Sequence, residues 1–331
     1  MHTLKRHIFL PAVMLALFVS APSRADDKLK IAIPVTTGTY AMYFVAEDKG
    51  YFKEEGLDVE LIIAGGGTAT PALMSGDLDF NGSPGAAISA ILRNAPIKIF
   101  FVSQDRPAYE LWSGDAKIVS VADLKGKPVG VFTRGDTTEV ALRILLKSQG
   151  IDPGGIIYSP LNQGQVRLAA LTAGSVAAAM LLKDEVDQAK SLPNMHLVAD
   201  VEKLVKQMGG GAVARNGALA EGRETTRRFL RALIKGRRFS DAFKGETIDS
   251  VQKRNPRTPR AALEVSYDDT AKTATKDGTL DLEAQQGEID ARSDVLNIPP
   301  AQRLKPSQVF DFSLVEEVNR ELDGKGWKPA R

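Results

Sequence analysis

The apolar and polar positions of the chain repeat one local order: a short apolar run, a loop of small polar residues, and apolar residues at helical spacing. Residues 30–56 show it first, with an apolar run at 31–35, a Thr- and Gly-rich loop at 36–39, and Gly50 after the helical pattern. This order predicts a strand, a loop and a helix. Because the first N–H groups of a helix lack partners within it, the loop is expected to favour an anion.

The same order continues through the first hundred residues. Residues 57–64 predict a second strand, and the glycine loop 65–67 leads to a helix with Thr70 as cap and Pro71 as first residue. Farther on, Ser83 stands between a short predicted strand and the helix that ends near Arg93. A buried strand is then predicted at 97–102, because that run is continuously apolar.

From Ser120 the pattern restarts, which predicts a second lobe built like the first. Residues 120–123 form a capping box, residues 128–132 predict a strand, and residues 133–138 open a helix that ends at Ser148. Two similar α/β lobes are expected to present the loops at the carboxyl ends of their strands to one cleft. The expected boundaries are 26–113 and 213–331 for the first lobe and 114–212 for the second, with crossovers at 109–112 and 209–214.

The first 25 residues have the pattern of a secretory signal peptide. Lys5 and Arg6 precede an apolar core at 8–19, and a small-x-small site ends at Ala25, after which cleavage is expected. No later stretch approaches the ~20 apolar residues that a membrane span needs. The chain has no cysteine, so neither a lipid-modified cysteine nor a disulfide framework is expected. These features predict a free periplasmic protein.

Composition and charge narrow the class of partner. The 331 residues are 43% hydrophobic, which is enough for two lobes with separate cores. The first 25 residues hold three bases and no acid, so the net charge of +2 becomes −1 for the remainder. This balance argues against nucleic acid or a membrane surface as partner. A monomer without a cofactor or a metal site is expected.

Two catalytic or nucleotide-binding interpretations were weighed and disfavoured. The loop 65–67 is not followed by the spacing of a dinucleotide or phosphate motif, since Thr70 replaces a required glycine and no Gly-Lys-Ser/Thr is present; a tight turn explains its glycines equally well. Ser83 stands where a nucleophile would, but Pro84 removes an N–H of the oxyanion hole, and His196 is the sole histidine after the signal. No catalytic residue is therefore expected, and Ser83 is predicted to contact a ligand.

Charged candidates for the site follow the strands. Arg106 and Arg134 are candidate counter-charges, whereas Arg167 and Lys183 are interpreted as solvated, as is the basic face of the helix from 223 to 243. Tyr40 either covers the ligand or packs within its own lobe. The predicted ligand-binding residues are Thr36, Thr37, Gly38, Tyr40, Gly67, Thr68, Ser83, Pro84, Gly85, Arg106, Thr133, Arg134, Gly135, Asp136, Thr137 and Gln163.

Five segments carry a resemblance to a known family: 50–60, 72–80, 120–130, 167–174 and 228–233. The sequence resembles the periplasmic solute-binding proteins of nitrate, sulfonate and taurine importers, a group that also includes binders of the thiamine pyrimidine precursor. The resemblance implies a type II periplasmic-binding fold, with two lobes joined by two crossover strands and the ligand closed between them. It also implies delivery to the permease of an ATP-driven ABC importer, with its ATPase. One departure is Ala177, where the family often has aspartate.

The function expected on these grounds is capture of a small organic anion, of sulfonate or carboxylate type. The helix starts after Thr37, Ser83 and Asp136 are expected to hold it. A pyrimidine-type vitamin precursor and a nitrate-like anion remain alternatives. Relatives that synthesise the thiamine pyrimidine use a cysteine-rich iron motif, which this chain lacks. A ligand-loaded partner of a membrane sensor is a further alternative.

Overall fold

The structure is a computed structural model that describes residues 26–161 and 164–330. The predicted signal peptide and Gln163 lie outside the described residues. Within the described ranges, no helix is both long and apolar enough to cross a membrane.

Two five-stranded sheets organise the described part of the chain. Their orders are β2-β1-β3-β10-β4 and β7-β6-β8-β5-β9. In each sheet one strand runs antiparallel to its neighbours, β10 in the first and β5 in the second. The strands are β1 Asp27–Ile33, β2 Leu57–Ile63, β3 Phe80–Asn81, β4 Ile97–Val102, β5 Tyr109–Ser113, β6 Pro128–Val131, β7 Ile157–Pro160, β8 Ala178–Leu182, β9 His196–Asp200 and β10 Gly211–Arg215.

Helices surround both sheets, and several are single turns. Short 3-10 helices lie at Gly38–Tyr40, Val121–Leu124, Pro153–Gly155 and Pro300–Gln302. The α-helices are α1 Ala41–Asp48, α2 Tyr51–Glu54, α3 Gly66–Ser75, α4 Pro84–Ile91, α5 Thr137–Ser148, α6 Gly164–Thr172, α7 Lys183–Ala189, α8 Val201–Leu204, α9 Asn216–Ala220, α10 Arg223–Ala242, α11 Lys244–Arg254, α12 Arg260–Thr273, α13 Leu282–Val295, α14 Pro306–Val309 and α15 Ser313–Gly324.

The apolar runs form the central strands for a simple reason. Parallel strands covered by helices on both faces need apolar side chains at successive positions. Ile31 and Ile33 of β1 are fully buried, as are Ile99 and Phe100 of β4. Each sheet with the helices packed on it is called a lobe here, the first containing β1 and the second containing β6. The predicted two-lobed α/β fold is confirmed.

The two segments that cross between the lobes are residues 103–108 and 205–210, which pair with each other. Ser103 N–H donates to Gly210 O at 2.7 Å, and Gly209 N–H donates to Gln104 O at 2.9 Å. The predicted crossover at 109–112 is wrong, because those residues form β5 inside the second sheet. Similarly, Gly211 already belongs to β10 of the first sheet.

Helix α13 lies where both lobes meet. Its Ala284 and Ile289 belong to the apolar cluster of the first lobe that includes Ile88 of α4. The same helix reaches the second lobe through Asp294, whose carboxylate lies 2.6 Å from Lys147 Nζ of α5. Side chains of α13 can therefore enter the space between the lobes.

Two local predictions need correction. Helix α3 begins at Gly66, four residues before the predicted cap, and Pro71 lies inside it. Thr70 is not a cap, since its Oγ1 accepts from Asn81 Nδ2 at 3.2 Å. The basic face of α10 is not simply solvated: Arg231 pairs with Glu55 and Glu321 across two other helices.

Candidate functional site

The N-terminal ends of α4 and α5 face each other across the lobes. A Cβ atom added to Gly85, in the first turn of α4, would lie 3.2 Å from Thr137 Cγ2 at the start of α5. Thr137 Oγ1 is 2.8 Å from the hydroxyl of Tyr109 in β5. These three residues bring the carboxyl-end loops of both sheets to one place, as expected for a cleft between lobes.

A buried arginine that the sequence analysis did not single out reaches this place from α13. Arg292 is 2% exposed, and its Nη2 would lie 3.3 Å from a Cβ atom on Gly85. Its Nη1 donates to Gly135 O at 3.2 Å, and its Nε donates to Glu288 Oε2 at 3.3 Å. Nη2 itself has no hydrogen-bond partner among the described residues. A buried guanidinium with a spare donor is a site for an anion.

Ser83, two residues before Gly85, provides a second unused donor. It immediately precedes α4 and is 8% exposed, and no described group hydrogen-bonds to its Oγ. Its N–H donates to Asn81 Oδ1 at 2.9 Å, which fixes the loop. A Cβ atom on Gly66 would lie only 2.1 Å from Ala86 Cβ, so glycine is what lets α3 pack onto this turn. The predicted role of Ser83 stays a prediction.

The second lobe contributes a wall of stacked side chains. The rings of Tyr109 and Phe132 meet edge-on with their centroids 6.1 Å apart. The guanidinium of Arg167 stacks on the Phe132 ring, with its central carbon 3.6 Å from the ring centroid. Arg167 is 1% exposed and pairs with Glu185, so its interpretation as a solvated residue is wrong. Burial raises the pKa of Tyr109 to about 12, so this hydroxyl remains protonated and can donate.

Tyr40 packs within its own lobe instead of opening into the site. Its hydroxyl donates to Gly82 O at 3.0 Å, and its ring lies 6.2 Å from that of Tyr43. Burial raises its pKa, and the nearby Tyr109 adds to the shift. Of the two readings of Tyr40, the structure favours packing.

The predicted ligand loop after β1, residues 36–39, is held largely by helices α11 and α12. Thr36 Oγ1 donates to Asn255 Oδ1 at 2.6 Å, whereas Thr37 is exposed. A Cβ atom on Gly38 would lie 3.0 Å from Ser266 O, which leaves little space there. Gly67 and Thr68 are exposed on α3, and Thr68 Oγ1 donates to Gly65 O.

Neither predicted counter-charge lies at the start of α4. Arg106 is 44% exposed and pairs with Asp105, beside an open groove of about 690 Å³ that includes the C-terminal end of α5. Arg134 is 53% exposed, 3.5 Å from Glu139, with its guanidinium 5.2 Å above the ring of Tyr158. Exposed arginines of this kind form ordinary surface pairs.

The first N–H groups of α5 are already capped by the side chain of Asp136. Asp136 Oδ1 accepts from the N–H groups of Thr138 and Glu139, and Thr133 N–H donates to Oδ2 at 3.3 Å. A carboxylate therefore already takes the position where an anion would meet this helix end. The expectation that the start of α5 holds the ligand is disfavoured. Gly85 and Gly135 lie against Arg292, Thr137 lies against Gly85, and Pro84 precedes Gly85 in α4.

Metal-ligating groups and the single histidine are the remaining candidates for chemistry among the described residues. Across the described ranges, no group of three or more His, Asp or Glu side chains is placed to hold a metal. His196 lies at the start of β9, with Nε2 2.8 Å from Ile118 O. Two α/β lobes joined by two crossing segments are the architecture of the periplasmic-binding fold.

Comparison with known proteins identifies the family. The family described as NMT1/THI5 like matches residues 38–241, more than half of the chain, so the chain belongs to it. A candidate binding protein of Brucella abortus (strain 2308) is 25% identical over 260 residues, covering 76% of this chain and 79% of its own length. The resemblance found in the sequence is confirmed.

Solved structures with the same fold include a binding protein and an enzyme. The periplasmic sulfonate-binding protein SsuA from Methylobacillus flagellatus KT superposes with a TM-score of 0.73 at 19% identity, covering 93% of this chain and 98% of its own. The desulfurization enzyme DSZB superposes with a TM-score of 0.54 at 14% identity, covering 89% and 99%. At these identities the likeness concerns the fold, and the site itself must decide the function.

Proposed function

We propose that the protein is the periplasmic solute-binding component of an ABC importer, which closes its lobes on a small organic anion of sulfonate or carboxylate type. One observation carries the proposal: Arg292 Nη2 is buried and unpartnered among the described residues at the start of α4, which the equally unpartnered Ser83 immediately precedes. Support for the importer role comes from the family and from the sulfonate-binding relative.

The geometry explains why such a site would need both lobes. Micromolar affinity requires about 8 kcal/mol. A helix N-terminus contributes at most about 2 kcal/mol, and a hydrogen bond to a charged group about 1.5–3 kcal/mol. The first lobe offers Ser83 and α4, α13 offers Arg292, and the second lobe offers Tyr109. Closure would add these contributions together and exclude water from them.

Binding is favoured over catalysis by the residues themselves. The chain contains no cysteine, and the hydroxyl of Ser83 has no histidine within hydrogen-bond distance among the described residues. A spare guanidinium donor stabilises a bound anion without further chemistry.

Calorimetry with a panel of sulfonates, carboxylates and nitrate, guided by native mass spectrometry of the purified protein, tests this function. We expect Arg292→Gln to lower the affinity for the best ligand about 10- to 100-fold, which corresponds to the loss of a charge-assisted hydrogen bond. Arg106→Ala and Arg134→Ala are the matched controls and should stay within about twofold of the wild type.

The result is read together with the stability of each variant. Because Arg292→Gln also leaves Glu288 without its ion pair, thermal unfolding must show that the variant is folded at the assay temperature. Full affinity in a folded Arg292→Gln protein would refute the assignment of the anion site. Loss of affinity in Arg134→Ala would instead restore the site predicted from sequence.

A further inference from the structure

We propose that Glu288 sets the charge selectivity of this site, so that singly charged anions are accepted and doubly charged ones are disfavoured. The inference rests on the proposed function, because it takes Arg292 as the group that meets the anion.

The carboxylate of Glu288 is fixed beside the guanidinium. Both residues lie on α13 one turn apart, and Glu288 is fully buried. Its Oε2 accepts from Arg292 Nε at 3.3 Å, and its Oε1 accepts from Met208 N–H at 2.9 Å in the second crossing segment. Held at both oxygens, the carboxylate cannot move away when a ligand arrives.

The other charged groups on the elements around this place offset one another. Helices α4 and α14 carry no ionisable side chain. Tyr109 stays protonated. Asp136 caps α5 and forms no ion pair among the described residues, whereas Glu139 pairs with two arginines, so this negative charge and the surplus positive charge offset each other. The remaining ionisable groups of the neighbouring segments form their own pairs: Glu139 with Arg143 and Arg134, Lys147 with Asp294, Asp290 with Arg303, Asp105 with Arg106, and Lys206 with Asp281.

One positive and one negative charge therefore determine how the site treats an anion. A singly charged ligand gains the attraction of Arg292 at short range and feels the carboxylate from farther away. A second ligand charge meets no second cation, while the repulsion from Glu288 grows in proportion to the ligand charge. Uncompensated charge in a buried place is strongly unfavourable.

Acidification gives the proposal a signature that a purely structural residue would lack. Burial raises the pKa of Glu288, against the opposing effect of Arg292. As the pH falls toward that raised pKa, the carboxyl group gains a proton and its repulsion disappears. The preference for single charges should then weaken.

Methanesulfonate and sulfate are the probes, because they have nearly the same size and shape but carry one and two charges across the working range of pH. Calorimetry at pH 7.5 should show that the wild type prefers methanesulfonate. In Glu288→Gln, the affinity for sulfate should rise about tenfold and the affinity for methanesulfonate about threefold, because the lost repulsion acts on each ligand charge. The selectivity ratio of the wild type, but not of this variant, should fall as the pH is lowered from 7.5.

Glu283→Gln removes an exposed carboxylate from the same helix and should leave the ratio unchanged. An unchanged ratio in Glu288→Gln, or an equal loss of affinity for both ions, would overturn the proposal. Arg292→Gln, measured in parallel, separates the two hypotheses: full binding there removes the proposed function, whatever Glu288→Gln does. A wild type that binds neither ion overturns both.

Discussion

At the scale of the residue, the site contains two of the six buried side-chain polar atoms that lack a hydrogen-bond partner among the described residues. Ser83 Oγ and Arg292 Nη2 are both of this kind. Folded proteins satisfy nearly all buried polar atoms, since each unsatisfied one costs about 1–3 kcal/mol. Two such atoms beside the same helix start are best explained by a ligand that completes them.

Ser83→Ala should therefore separate stability from affinity. Removing an unsatisfied hydroxyl is expected to leave the free energy of unfolding of the ligand-free protein unchanged or to raise it by up to about 1 kcal/mol. The same change should weaken anion binding about tenfold. Urea unfolding and calorimetry measure the two effects, and a clear loss of stability without loss of binding would assign Ser83 a structural role.

Residue-level prediction from sequence succeeded for the Ser120 cap, failed for the Thr70 cap and missed Arg292. The capping box of Ser120 and Asp123 is confirmed, because its two hydrogen bonds are local. Glu288 and Arg292, four residues apart on a helix, have the spacing of an ordinary surface pair. What buries them is the packing of α13 against α4 and α5, which no local pattern encodes.

At the scale of the element, ion pairs join helices α10 and α15 in the first lobe. Glu321 of α15 accepts from Arg227 at 2.9 Å and Arg231 at 3.0 Å on α10, and from Lys325 at 2.7 Å. Lys325 and Arg231 hold the pKa of Glu321 down at about 2, against the opposing effect of its partial burial. Helical periodicity predicted α10 well, yet its charged face is a helix contact rather than a solvated surface.

The depressed pKa of Glu321 fixes the sign of a stability effect. Its contribution is present above the unfolded pKa of about 4.5 and is lost as the pH falls toward 2. Because the pair is partly solvated, we expect Glu321→Gln to cost about 1–2 kcal/mol at pH 7. The difference from the wild type should shrink on acidification.

Urea unfolding at pH 7, 5 and 3.5 measures this change. Glu316→Gln, in the same helix but 56% exposed and 4.0 Å from Arg320, serves as control and should match the wild type at each pH. A constant difference between Glu321→Gln and the wild type across this range would contradict the expected linkage.

At the scale of the whole molecule, the lobes are in contact around the site. Gly85 meets Thr137, Arg292 meets Gly135 O, and Gln207 of the second crossing segment donates to Thr137 O at 2.9 Å. The two lobes could be predicted from sequence, because alternating strands and helices form sheets covered by helices. The chain crossings were misplaced, because the apolar pattern of a strand does not show which of the two sheets it joins.

A cysteine pair can report on this contact, because the chain has no cysteine of its own. In the double variant Gly85→Cys and Thr137→Cys, the closeness of the two positions is compatible with a disulfide. Bound ligand should speed its formation by increasing the population of the closed form. Gel mobility under mild oxidation measures the rate, and a rate that ligand does not change would contradict lobe closure on the ligand.

The position of Arg292 and Glu288 on a helix that belongs to neither sheet has a consequence for how ligand preference can change. Residues 282–295 follow the last sheet strand by more than sixty positions, and they carry both charges of the site on one face. With the proposed assignments, substitutions there can alter the charge of the accepted ligand without changing a residue of either sheet. Ligand preference would then change through one C-terminal helix while both sheets stay the same.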